Sequence, residues 1–388
     1  MEPTTGGERC HMEQMEWGRP TRAVIDLGAV RHNVRKTKDW IGPETELIAV
    51  VKADGYGHGA VRTAEAALGA GATMLAVATP EEAVELREAG LEAEILLLGA
   101  APLAFVKVAA ERNIILTADS LRWMEAAARL EKDLSAPLKV HLKVDTGMGR
   151  IGVRSQEELL GAWRTARKAG FVMDGVFTHF AAADEAETGL QMRQKERFAD
   201  MVGVLPERPR LVHAANSAAS YIHPDCRFDA VRLGISMYGV PASEHVGRNM
   251  PFALKPALML ESRLTHVKKI RRGDTVSYGA TYTATDDEWI GTLPIGYADG
   301  LLRGLGGQDV LIGGERVPIV GRICMDQCMV RLPRAMEPGE PAVLIGRQGH
   351  EEITADEWAR RLGTIPYEVL VTLSKRIPRV YRDRDWER

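Results

Sequence analysis

The chain has 388 residues, 45% hydrophobic and 27% charged, enough for a sizeable core and for one large α/β barrel with a smaller second domain. Fifty basic and fifty-three acidic residues leave a formal charge of -3, so no overall field recruits nucleic acid or an anionic membrane surface. No apolar run reaches the roughly 20 residues that span a bilayer, and the opening MEPTTGGERCHMEQMEWGRP lacks a signal-peptide core, so a cytoplasmic protein is expected.

Residues 1–18 read as a flexible leader, followed by a barrel domain over 19–255. From about residue 46, short β-branched or leucine-rich runs alternate with helical patterns. The runs ELIAVVKA, MLAVAT, EILLLG, IILTA, LKVHLKVD, VMDGVFTHF, RLVHAAN and AVRLGISMYG are the expected strands, with helices near 156–169 and 190–204 among their connections. Apolar runs that do not alternate indicate strands buried on both faces, as a parallel sheet requires. Eight of them predict a TIM-type (β/α)8 barrel. Beyond about residue 255 the texture changes to runs such as ALMLESRLTHV and DVLIGGERVPIVGRI separated by turn residues, which predicts a mostly β C-terminal domain over 256–388 with one helix near 355–362. Four cysteines in a chain this long are no disulfide framework. Cys324 and Cys328 form C-x3-C without a second ligand pair, so no metal site is expected.

In such a barrel the active site forms at the C-terminal ends of the strands. Lys52 falls at the end of the first run, Arg150 after the fifth, His179 at the end of the sixth, Asn216 and Ser217 after the seventh, and Arg232 and Gly234 in the eighth. A lysine at the end of a buried strand either snorkels to water or is kept there for chemistry, such as Schiff-base formation with a carbonyl compound. The run NSAAS is either an ordinary helix cap or part of an anion site, in the loops where barrels commonly hold phosphate. Asp54 and His58 in the glycine-rich turn read as structural, satisfied by nearby backbone.

The segments AVVKADGYGHGA, KVDTGMGRIG, THFAAAD, HAANSAA, RLGISMYG, VSYGATYTA, PIGYADG, GRICMDQ and PYEVL, in this order from about Arg19 to Val380, resemble alanine racemases, which are pyridoxal-phosphate enzymes of the barrel type. The resemblance implies that Lys52 binds pyridoxal 5'-phosphate covalently. It places Tyr56, Tyr367, Ser217, Gly234 and Ile235 at the cofactor phosphate, Arg232 at the pyridine nitrogen and His179 against the ring. It assigns Arg150 and Met325 to the substrate and makes Lys143 a candidate for carbamylation. It also implies a head-to-tail homodimer in which Tyr278, otherwise only a tyrosine in an alternating strand pattern, reaches the partner's active site as the second catalytic residue. Residue Val24 departs from the glutamate that many relatives carry.

The implied reaction interconverts L- and D-alanine, supplying D-alanine for peptidoglycan. Inversion at the α-carbon needs a base on each face, here Lys52 and Tyr278. A tyrosine has an ordinary pKa near 10, so it needs cations nearby to act as a phenolate. An arginine cannot donate its proton at ordinary pH, so Arg232 would leave the pyridine nitrogen unprotonated, which favours racemisation over transamination. A broader amino-acid racemase acting on serine, and more remotely a barrel-type decarboxylase or a single-barrel cofactor carrier, are the alternatives. Decarboxylases of this type pair the nitrogen with a glutamate, carriers lack a second domain, and the bulk of Tyr367 and Met325 favours alanine.

Overall fold

The computed structural model describes residues 18–383, so all but the last residue of the expected leader lies outside the described part. It divides into two compact units, Leu27–Ala257 and a second one joining the residues up to Asp26 with Leu258–Asp383.

The first strand, β1 (Arg22–Asp26), belongs to the second unit rather than to the barrel domain expected from residue 19. It pairs antiparallel with Leu258–Arg263 and parallel with Arg379–Arg382, and Val24 lies opposite Met259 and Val380. Val24 is fully buried, so an apolar side chain suits the interior of this sheet. A short apolar strand carries no label for its sheet, and its partners come from the far end of the chain.

The first unit is a closed parallel barrel of β2 (Glu46–Val50), β3 (Met74–Val77), β4 (Glu94–Ala100), β5 (Ile114–Ala118), β6 (Lys139–Lys143), β7 (Val172–Phe177), β8 (Leu211–His213) and β9 (Ala230–Leu233). Each expected run supplies one strand, and β2 pairs with β9 from Glu46↔Ala230 to Ala49↔Leu233 to close the ring. Helix α1 (Leu27–Ile41), which a count of units starting at residue 46 leaves out, buries Leu27, Val30, Val34 and Ile41. Its Asn33 amide donates to the carbonyls of Met237 and Lys255 at 3.1 and 2.8 Å. The later helices start at polar caps; Thr79 and Glu82 form a capping box for Pro80–Glu88, and Ser155 caps Gln156–Lys168.

The second unit is built on a ten-stranded sheet in which β1 lies between Leu258–Arg263 and Arg379–Arg382. A separate two-stranded hairpin, Thr275–Val276 with Tyr282–Thr283, packs Val276 into a small apolar cluster with Ile270, Ile290 and Val320 of the same unit. The expected helix is present as Ala355–Leu362, and a further helix, Pro366–Thr372, carries Tyr367.

Candidate active site

The barrel unit gathers polar side chains at the C-terminal ends of its strands. Strand β2 stops at Val50, so Lys52 does not end the strand but opens a short helical turn, Lys52–Tyr56. Ala53, Asp54, Gly55 and Tyr56 all have positive φ, between 52° and 58°, so this turn is left-handed. Left-handed backbone costs an L-residue roughly 1–2 kcal/mol, so the surroundings must hold the turn in place. The Gly59 amide bonds the Asp54 carbonyl at 2.8 Å, Asp54 Oδ1 accepts from the Ala60 amide at 3.0 Å, and His58 Nδ1–H donates to the Tyr56 carbonyl at 2.9 Å. A Cβ at Gly55 would lie 2.7 Å from Thr63 Oγ1, so only glycine fits there. The Lys52 amine is pushed below its ordinary pKa by burial and by Arg150, with Glu82 acting the other way.

Tyr56 is buried against Tyr238, with ring centroids 5.0 Å apart, and burial pushes its phenol pKa up. A Cβ on Gly234 would come within 2.6 Å of the Tyr56 hydroxyl and 3.7 Å of Ser217 Oγ, while the Gly234 amide donates to Ser217 Oγ at 2.9 Å. Tyr56, Ser217 and Gly234 therefore form a small polar cradle from β2, β8 and β9 connections, of the kind that suits a phosphate, and Ile235 follows directly after it in the chain. Asn216 caps the helix Ser217–Ile222 through the Ala219 amide.

Arg232 is buried on β9 and donates to the carbonyls of Thr178 at 2.8 Å and Ala214 at 2.7 Å, to His213 Nδ1 at 2.6 Å and to His179 Nδ1 at 3.2 Å. A guanidinium can only donate, so both histidine nitrogens accept and both rings are neutral. Burial and then Arg232, Lys143, Arg150 and Lys52 push the His179 pKa well down, which agrees with that geometry. Lys143 ends β6 buried, its Nζ lying 4.7 Å from the Phe177 ring centroid and meeting no hydrogen-bond partner among the described residues. Burial, Arg232 and Arg150 push its pKa well below the ordinary lysine value. Asp145 accepts the amides of Gly147 and Gly149 at 3.1 and 2.9 Å and so shapes the loop that carries the exposed Arg150.

Two family models match the chain along most of its length: the alanine racemase N-terminal domain over residues 25–242 and the alanine racemase C-terminal domain over 257–381. The chain belongs to the alanine racemase family. Alanine racemase 1 of Bacillus subtilis (strain 168) is 51% identical over 364 residues, 94% of this chain and 93% of the relative. Among solved structures, alanine racemase from E. faecalis superposes with a TM-score of 0.91 at 47% identity, covering 94% of this chain and 99% of the other. Histidine racemase from Leuconostoc mesenteroides superposes with a TM-score of 0.90 at 32% identity over 95% of this chain and 99% of that one.

The remaining family-derived positions lie in the second unit. Tyr278 occupies neither strand nor core; it begins a 3-10 turn, Tyr278–Ala280, at the tip of the hairpin and is 72% exposed. Positive φ at Ser277, Gly279 and Ala280 breaks the alternation that suggested a strand. The tip is braced nonetheless, because Ser277 Oγ donates to the Arg322 carbonyl at 2.6 Å and Gly279 lies over the Arg322 guanidinium. Met325 is 53% exposed in a loop whose carbonyl accepts from Ala298 at 3.0 Å, and Tyr367 is half-buried on its short helix. Among the described residues no cluster of His, Cys, Asp or Glu could hold a metal, Cys226, Cys324 and Cys328 are free thiols, and no helix is long and apolar enough to cross a membrane.

Four residues of consequence carry no expectation from sequence: Glu82, which bonds the Lys52 turn, and His141, Asp174 and His213 in the barrel interior. The last three each interrupt an apolar strand with a polar side chain, a visible signal of a buried polar network.

Proposed function

We propose that the protein is an amino-acid racemase that interconverts L- and D-alanine with pyridoxal 5'-phosphate held on Lys52, and that it supplies D-alanine for peptidoglycan in the cytoplasm. The observation that carries the reading is the Lys52 amine: half-buried at the barrel's functional end, lowered in pKa by burial and Arg150, in a chain of this family. A neutral amine is the nucleophile and base the chemistry requires.

The residues present fit the cofactor. Tyr56, Ser217, Gly234 and Ile235 are the proposed phosphate contacts, joined by Tyr367; Gly234 leaves the space a Cβ would fill. Arg232 is assigned to the pyridine nitrogen, and His179 to the face of the ring. The bound cofactor acidifies the substrate's α-proton by accepting electron density, and Arg232, which has no proton to give, moderates that withdrawal. Lys52 takes or returns a proton on one face of the α-carbon. On the other face the base is Tyr278 of the partner subunit, in a head-to-tail homodimer with two composite sites. Arg150 binds the substrate carboxylate and Met325 bounds its side chain. Lys143, a buried amine whose pKa is lowered by burial, Arg232 and Arg150, is suited to carbamylation, since carbon dioxide adds to the neutral amine and the resulting anion would feel the same two cations as attraction.

Incubation of the purified protein with L-alanine in heavy water should yield D-alanine with deuterium at the α-carbon, and a panel with serine and histidine should turn over more slowly. No exchange with any amino acid ends the racemase reading. Faster turnover of histidine would move the assignment toward the substrate named for the Leuconostoc mesenteroides neighbour.

A further inference from the structure

A row of hydrogen bonds runs through the barrel interior from Arg232 to the N-terminal ends of the strands. Arg232 Nη1 meets His213 Nδ1 at 2.6 Å, His213 Nε2 meets His141 Nδ1 at 3.0 Å, and His141 Nε2 meets Asp174 Oδ2 at 3.0 Å. Both histidines are fully buried, and Arg232 and Asp174 are buried as well. Beyond Asp174, Arg210 donates to Oδ1 and Oδ2 at 2.8 Å each and continues to Glu94 at 2.6 Å and Glu46 at 3.3 Å; Lys139 closes on Glu94 at 2.9 Å.

The ends of this row determine every proton in it. Arg232 has donors only, so His213 Nδ1 carries a lone pair and the ring is neutral with its proton on Nε2. That proton points at His141 Nδ1, which must accept, so the His141 proton sits on Nε2. Nε2–H in turn meets a carboxylate, which accepts. All three donations therefore run the same way, from the guanidinium toward Asp174. The acceptors that meet Arg232 directly, two carbonyls and two imidazole nitrogens, are neutral; the anion that complements its charge is Asp174, reached through two polarised rings. Packing leaves the rings no freedom. His213 stacks on Phe177 with centroids 4.9 Å apart and planes 4° from parallel, and His141 fills the space over Gly175, where a Cβ would lie 2.6 Å from its Cε1.

We infer that Asp174 is a positioning residue for Arg232, acting from the opposite end of the barrel through His141 and His213 to hold the guanidinium in place and charged. The consequence for catalysis rests on the assignment of Arg232 to the cofactor's ring nitrogen; the proton positions do not.

Two measurements on the cofactor-loaded enzyme test this. In wild-type protein labelled with 15N-histidine, His141 and His213 should both appear as neutral Nε2–H tautomers, and an imidazolium or an Nδ1–H form at either overturns the proposal whatever the substrate proves to be. The isosteric Asp174→Asn removes the charge; kcat for alanine should fall about tenfold with KM nearly unchanged, and the visible band of the lysine-bound cofactor should shift. A folded Asp174→Asn enzyme with wild-type kcat and spectrum refutes the role even where thermal stability drops. If Asp174→Asn does not accumulate, His141→Leu against His141→Gln makes the same comparison, because glutamine keeps both an acceptor and a donor and should retain the greater kcat. Equal kcat in the two overturns the proposal. A wild-type enzyme that shows the expected tautomers but exchanges no amino acid would instead defeat the functional reading alone.

Discussion

Replacing Glu82 by alanine should detach the lysine-bearing turn from the barrel without unfolding it. Glu82 Oε1 accepts the Ala53 amide, the first after Lys52, at 2.6 Å, and Oε2 accepts the amides of Ala78 at 2.7 Å and Thr79 at 3.2 Å. The turn it holds includes three non-glycine residues in left-handed backbone, an expense of roughly 3–6 kcal/mol at 1–2 kcal/mol each. A hydrogen bond to a charged group contributes about 1.5–3 kcal/mol, and the lower end applies because Glu82 is only half-buried. Loss of the Ala53 bond should therefore lower the equilibrium constant for forming the native turn by about tenfold, at 1.36 kcal/mol per decade. Pyridoxal phosphate titrated into the apoenzyme and followed by visible absorbance should bind more weakly, by up to about tenfold, and borohydride trapping should label Lys52 to a correspondingly smaller extent. Glu82→Gln, which keeps a carbonyl for one of the amides, should fall between. The lost capping box lowers the melting temperature separately, by about 2–4 °C per kcal/mol for a domain of this size. A Glu82→Ala enzyme that melts earlier yet binds cofactor and turns over as wild type would show that the turn holds itself, and the reasoning would fail.

Gly234→Ala places a methyl group 2.6 Å from the Tyr56 hydroxyl, so cofactor affinity should drop while circular dichroism stays native; unaltered affinity would remove the cradle from the phosphate assignment. Acid should weaken the fold early. Burial lowers the pKa of His141, His179 and His213 in the folded state, so below the unfolded value near 6.5 the unfolded chain binds protons that the native one does not. Stability is thus complete above about pH 6.5 and is lost as pH falls toward the folded values, at up to about 1.4 kcal/mol per pH unit for each histidine. Urea unfolding at fixed protein concentration between pH 7.5 and 5.5, above the carboxylate range, reads this directly, and a flat profile would contradict neutral buried rings.

The barrel was legible because parallel strands covered on both faces leave uninterrupted apolar runs, and each of the eight runs supplies one strand. What could not be read was pairing at a distance. RAVID suits any sheet interior, and its partners Leu258–Arg263 and Arg379–Arg382 lie near the other end of the chain. His141, Asp174 and His213 were visible as polar interruptions, but their contact depends on the register of three separate strands. Local backbone defeated expectation twice. Lys52 closes an apolar run, yet the strand stops at Val50 and ADGY takes four successive positive φ, and SYGAT alternates like a strand while Ser277, Gly279 and Ala280 turn it into a braced tip. In both places the unusual backbone sits beside a residue assigned to catalysis, which is where strain is commonly retained.

The exposure of Tyr278 bears on how many chains make one site. An aromatic side chain 72% exposed on a tip held by the Ser277 to Arg322 bond gains little for its own unit, yet it is rigidly presented, as a residue offered to another surface must be. If Tyr278 serves the active site of the partner subunit, the two catalytic residues of a site come from different chains, and complementation follows. Neither Lys52→Ala nor Tyr278→Phe homodimers contain an intact site. A mixed dimer contains one site carrying both substitutions and one carrying neither. With random exchange of equal amounts, half the dimers are mixed and half their sites are intact, so about a quarter of wild-type activity should return. Activity should appear only after subunit exchange, for example following dilution from mild denaturant, and should scale with the product of the two chain fractions. If Tyr278 served its own chain, every site in the mixed dimer would lack one residue or the other, and activity would remain at the sum of the two inactive parents.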